Sequence, residues 1–163
     1  MSKGRGAVQL EKSEETIQQR VNSNLCSLGL TAFHKKLLCA FLYWAEGGKT
    51  EKYVSFTNSN PKMIETFLSL MRSSFDLDEK KLRCLIHVHE YHDKEKLLDF
   101  WSRKTKIPPN KFSHFYLKKN TTKRKKEGYK GTLRVRYYDV KIVRELKCIY
   151  NTFHEQLGAS VNW

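Results

Sequence analysis

The chain has 163 residues, with 31 Lys and Arg against 17 Asp and Glu and a formal charge of +14. That length suits one domain, or one domain with an arm, burying about two-thirds of its unfolded surface without a disulfide scaffold. The charge points to a polyanion, nucleic acid foremost, and the longest apolar stretch, Leu37 to Ala45, is far shorter than the roughly 20 residues that span a bilayer.

Met1 to Ala7 is basic with no apolar core behind it, which argues against a signal peptide. A cytoplasmic protein is expected, nucleoid-associated if bacterial. Cys26, Cys39, Cys84 and Cys148 are widely spaced with no C-x-x-C pair, and read as free, buried thiols of a reducing compartment.

In chain order, residues 8 to 28 carry apolar positions at Ile17, Val21, Leu25 and Leu28, a helical spacing that predicts an N-terminal helix in an arm over 1–30. A second helix repeats Phe33, Leu37, Leu38, Phe41, Leu42 and Ala45 and stops at Gly47-Gly48. Tyr53 to Thr57 alternates as a strand, and Asn60-Pro61 reads as the N-cap and first turn of a helix with Met63, Ile64, Phe67, Leu68 and Met71 inward. Leu82 to His89 alternates again, Cys84 and Ile86 on one side and Arg83, Leu85 and His87 on the other. Asp93 caps a short helix with Leu97, Leu98 and Trp101, closed by Pro108-Pro109. Two strands, Ser113 to Lys118 and Leu133 to Tyr138, flank a basic run and are expected to form a β-ribbon with a cationic tip. Asp139 caps the last long helix, and a tail follows over 158–163. The result is an α+β domain over 31–157, helices on one face of a curved, mainly antiparallel four-stranded sheet.

The other sheet face is left for a ligand. Its outward positions are Tyr53, Ser55, Arg83, His87, His89, His114, Tyr116, Lys118, Arg134, Arg136 and Tyr138, with no acid among them although the chain holds 17. The basic run adds Lys119, Lys123, Arg124, Lys125, Lys126 and Lys130, opposed within 118–130 by Glu127 alone. Arginine forks match guanine edges, while Lys and Tyr reach phosphates, which suits double-stranded DNA. Cys84, His87, His89 and His92 do not share a metal sphere, because alternation sends Cys84 to the opposite face.

Glu46 ends the apolar run of the second helix. A carboxylate there meets the negative end of the backbone dipole at a cost of roughly 0.3–1 kcal/mol. Apolar walls would raise that cost unless a divalent cation shared the site.

Leu42-Tyr43-Trp44-Ala45-Glu46-Gly47, Phe56-Thr57-Asn58-Ser59-Asn60-Pro61-Lys62-Met63-Ile64 and Phe100-Trp101-Ser102-Arg103-Lys104-Thr105-Lys106-Ile107-Pro108 together resemble the LAGLIDADG homing endonuclease superfamily, and more narrowly its bacterial members with a degenerate motif. The resemblance covers residues 34 to 153. It implies that Glu46 and Gly47 help to hold Mg²⁺, that Glu46 and the basic Lys49 beside it are catalytic, and that a saddle-shaped sheet holds DNA. One motif per chain implies a homodimer through Leu38, Phe41, Leu42 and Ala45, and a roughly palindromic target. Phe41 stands where the motif usually has a small residue, and Trp44 where an Asp often appears. Three functions are compatible with these residues: a Mg²⁺-dependent DNA endonuclease, a DNA-binding regulator that does not cut, and an RNA-binding splicing-type helper.

Overall fold

A computed structural model describes residues 5–117 and 128–160. The chain divides into two units, residues 1–31 and 32–163.

The first unit is a single helix, α1 (Arg5–Ser27). It stops where Gly29 adopts a φ of +52°, a left-handed conformation that costs glycine nothing. Its apolar residues Leu10, Ile17, Val21 and Leu25 are 40–65% exposed. Cys26 is exposed on this helix, as is Cys148 in the second unit. Two of the four thiols expected to be buried therefore lie in solvent.

The second unit runs α2 (Ala32–Glu46), β1 (Val54–Asn58), α3 (Pro61–Ser74), β2 (Leu82–Val88), α4 (Lys94–Thr105), β3 (Tyr116–Leu117), β4 (Thr132–Tyr137) and α5 (Val140–Ser160). Short polar side chains set the helix starts. Asn60 accepts from the Lys62 amide at 3.0 Å, Asp93 from Lys96 at 3.1 Å and Asp139 from Lys141 at 2.9 Å, each satisfying an amide that has no partner inside its helix. Helix α5 continues to Ser160, past the expected boundary at 157.

The architecture is α+β around a four-stranded mixed sheet of order β1-β4-β2-β3. Val54, Phe56, Leu82, Cys84, Ile86, Val88, Leu133, Val135 and Tyr137 form the dry face, closed by Ile64, Phe67, Leu68 and Met71 of α3 and Val143 and Leu146 of α5. Phe56 stacks on Phe67 with centroids 4.0 Å apart. Trp101 of α4 is fully buried, and its indole N–H donates to the Lys130 carbonyl at 2.8 Å.

The β-ribbon is not formed. β3 and β4 are not neighbours, because β2 lies between them and pairs antiparallel with β4 and parallel with β3. The cause is α4, which carries the chain back to the end at which β2 began. Re-entry there makes the next strand parallel. Only Tyr116 and Leu117 of the expected strand are β-paired, preceded by a Cys84–Phe112 bridge and a Ser113 amide donated to the Cys84 carbonyl at 2.9 Å.

Candidate nucleic-acid interface

The register arranges the open face in rows. Tyr53 lies beside Tyr138 with ring centroids 5.0 Å apart. The next row reads Ser55, Arg136, Arg83 across β1, β4 and β2, and the one after it Thr57, Arg134, Leu85. The last reads Thr132, His87, Tyr116 across β4, β2 and β3. Thr57, Leu85 and Thr132 were absent from the expected ligand set, although alternation from Ser55, Arg83 and Arg134 places them there.

Arg83 and Arg136 are directly opposed across β2 and β4, an arrangement that destabilises a sheet unless an anion shares it. Arg136 lies over the Tyr53 ring at 5.3 Å, and its Nε is buried without a hydrogen-bond partner. Arg83 curls back onto the carbonyls of Lys80 and Leu82, at 2.6 and 2.7 Å. Arg134 Nε donates to the Thr57 hydroxyl at 3.3 Å. None of the residues in these rows is acidic, so two arginines are cross-strand partners with no carboxylate in their row.

Other expected contacts sit differently. Ser55 is 8% exposed, with its Cβ 2.9 Å from where a side chain on Gly48 would begin. His87 is buried, 5.0 Å from the exposed ring of Tyr116. His89 turns into a cluster with Tyr91, His92 and Tyr129; its ring stacks on Tyr91 at 5.5 Å, and its Nδ1 is buried without a partner. His92 accepts the His89 amide at 2.9 Å through Nδ1 and faces the Tyr129 carbonyl at 3.2 Å through Nε2, so the neutral Nε2–H tautomer satisfies both contacts. His114 lies at the β3 edge in a groove with Leu98, Phe112, Ser113 and Phe115. Lys130 is exposed, its ammonium over the Phe100 ring. Lys118, Lys119, Lys123, Arg124, Lys125 and Lys126 lie outside the described residues.

The acidic end of α2 is built against the rim of β1. The Gly47 amide donates to the Tyr43 carbonyl at 2.7 Å, the Tyr43 hydroxyl to the Gly48 carbonyl at 2.9 Å, and the Gly48 amide to the Ser55 carbonyl at 2.7 Å. A Cβ on Gly47 would come within 2.2 Å of the Tyr43 carbonyl, so only glycine fits. Burial, and then the neighbouring Tyr150, push the Tyr43 phenol above its ordinary value, which keeps it a donor.

Glu46 itself is exposed. The expected apolar walls are absent, because α2 buries only Cys39, Ala40 and Tyr43, while Trp44, Ala45 and Glu46 face solvent. Water screens the dipole penalty there. One Glu46 oxygen is 3.4 Å from the Asn58 side-chain amide. Lys49 is exposed beyond the glycines. Among the described residues no three His, Cys, Asp or Glu side chains form a metal-binding group.

Helix α2 packs against both α3 and α5. Phe41 meets Phe153 edge-on at 5.1 Å, and Trp44 stacks flat on Tyr150 at 5.0 Å. Phe41 is therefore engaged with α5, Leu42 is partly buried against the core, and Leu38, 46% exposed, and Ala45 are left outward. No helix among the described residues is long and apolar enough to cross a membrane. No family model matches the chain, and neither a curated protein nor a solved structure matches it.

Proposed function

We propose that this chain is a DNA-binding protein of LAGLIDADG-like architecture, which lays the open face of its sheet on duplex DNA as a homodimer and cuts phosphodiesters at its two Glu46 carboxylates. The observation that carries the binding reading is the Arg83–Arg136 pair: two arginines directly opposite in the register of β2 and β4, one with a buried Nε lacking a partner, in rows that hold no acid. A phosphate between them would accept from Arg136 and remove the repulsion. Outward Leu38 and Ala45, with partly buried Leu42 between them, support self-association, since a second copy seated on them would bring two Glu46 side chains toward one place.

The donor set fits Mg²⁺. One carboxylate per subunit, with substrate oxygens and water completing the shell, is how that ion is commonly held. When bound, Mg²⁺ supplies activation of water and neutralisation of the leaving oxygen. The protein's part is positional. The Tyr43–Gly48–Ser55 bonds fix the end of α2 against the sheet, and the arginine row holds the backbone of the duplex beside it.

Binding without cleavage is the second reading, favoured by the solvation of Glu46 and its contact with Asn58, which leave the carboxylate stable with no ion present. Incubating purified chain and its Glu46→Gln variant with a diverse plasmid pool and Mg²⁺ separates the two. Nicking by the native chain alone is expected. Equal nicking by both, or none by either, overturns the nuclease reading, and a binding constant that ignores salt overturns the DNA reading. Competition with RNA decides between DNA and an RNA-binding role.

A further inference from the structure

Helix α1, taken as a unit by itself, carries an apolar stripe, with Leu10 at 65%, Ile17 at 49%, Val21 at 40% and Leu25 at 59% exposure, continued by Leu28 at 56% just past its last turn. Most helical stability in proteins comes from packing such a stripe. The charges of α1 balance, with Arg5, Lys12 and Arg20 against Glu11, Glu14 and Glu15, in a chain whose total is +14. Net charge therefore does not set two copies of α1 against each other.

The seam residues are Leu10, Glu14, Ile17, Val21 and Asn24 of the helix and Leu28 directly after it, whose amide still donates to the Leu25 carbonyl. Their spacing alternates four and three residues, the period of a two-helix coil. It also reads the same in both directions, so a second α1 laid antiparallel matches it layer for layer. Leu10 then meets Leu28 of the copy, Ile17 meets Val21, and Glu14 meets Asn24.

The polar positions choose the direction. In the antiparallel pair the Asn24 amide donates to the Glu14 carboxylate, twice by symmetry. In a parallel pair two Glu14 carboxylates would face each other inside the seam, a like-charge contact with no donor. Leu25 lies beside the seam and covers its flank. Arg20 comes near its twin only at the solvated edge, where exposed charges weigh little.

We infer that α1 is a self-association element, pairing antiparallel with α1 of a second copy of this chain through the Leu10–Leu28, Glu14–Asn24 and Ile17–Val21 layers. This pairing is separate from the α2 strip of the proposed function and does not rest on it.

Disulfide trapping tests it on the full chain. The background carries Cys26→Ser and Cys148→Ser, leaving only the buried Cys39 and Cys84, together with Leu38→Asp, so that the outcome reports α1 and not the α2 strip. Chains bearing Leu10→Cys and chains bearing Leu28→Cys are oxidised separately and as an equal mixture, then run on a non-reducing gel. The mixture should give a covalent dimer at least tenfold faster than either chain alone, and Val21→Asp in both chains should abolish it. Efficient trapping by each single variant alone would mean a parallel pair and overturn the inference. So would slow trapping in every sample, or trapping indifferent to Val21→Asp. Circular dichroism of each variant checks that the chain still folds.

Discussion

Replacing Arg136 with Met should make the free protein more stable and the complex weaker. Methionine keeps the length of the apolar stem, so the change chiefly removes charge. Two terms favour the variant. A like charge directly opposite on a neighbouring strand costs about 0.2–1 kcal/mol, the scale of cross-strand pairs, and a buried donor left unpaired costs about 1–3 kcal/mol. Against them stands the contact with Tyr53 at 5.3 Å, a cation–π interaction of about 0.5–1 kcal/mol. The balance favours the variant by about 0.2–3.5 kcal/mol, and each kcal/mol raises Tm by roughly 2–6 °C for a unit of this size. On DNA the sign reverses. Losing one charge-assisted bond of about 1.5–3 kcal/mol weakens binding about 10- to 100-fold, and losing one phosphate contact flattens the logarithmic salt slope by about 0.9. Thermal unfolding of the free protein and fluorescence anisotropy of a labelled duplex across a salt series read the two effects. A variant that melts earlier yet binds with unchanged affinity and slope would show that Arg136 is structural and that the open face is not where DNA sits.

The Asp139 carboxylate is held below the usual range first by its bond from the Lys81 ammonium, then by the Lys141 amide, against the opposing effect of burial. A depressed folded value contributes stability that is present above the ordinary carboxylate range and lost as pH falls through the folded value. Asp139→Asn keeps the helix cap and removes the ion pair with Lys81, so it should cost about 0.2–1 kcal/mol at neutral pH, with the gap in urea midpoints closing as the native carboxylate protonates in acid. Burial pushes the Cys39 and Cys84 thiols up to about 12, while Cys26 and Cys148 are exposed. A thiol reagent should label two cysteines in the native protein and all four once it is unfolded; mass spectrometry identifies which. Gly47→Ala, whose added carbon meets the Tyr43 carbonyl, should cost about 1–3 kcal/mol as overpacking does, measured by chemical unfolding, whereas Ala at exposed Gly6 should not destabilise α1.

Much of the second unit was legible because its signals are local. Asn60, Asp93 and Asp139 announce helix starts by side-chain chemistry that needs no tertiary context, and the alternation of Leu82 to Val88 and Leu133 to Tyr137 fixes which side chains share a face. The opposed arginines followed in part. Both were placed outward, but their meeting depends on the pairing of β2 with β4, and strand partners are not encoded in either strand alone. The ribbon failed for that reason: proximity in sequence favours a hairpin, whereas α4 had already committed β3 to the far side of β2. Glu46 was misjudged in its surroundings, since a run of apolar letters does not say which flank of a helix is covered. Trp44 and Ala45 belong to that run and still face water.

The glycine turn after α2 also settles how this sheet ends. Gly47 bridges Phe56 and Gly48 donates to Ser55, so the outer rim of β1 is corked by its own chain. The opposite rim is β3, only two residues long. Among the described residues neither side offers a long stretch of free backbone to which a foreign strand could zip, a common route to fibrils and runaway stacking. Crowding this protein in concentrated solution should therefore not seed cross-β growth from the folded state, and association is channelled to its exposed helical ridges, where side chains rather than main-chain bonds choose the neighbour.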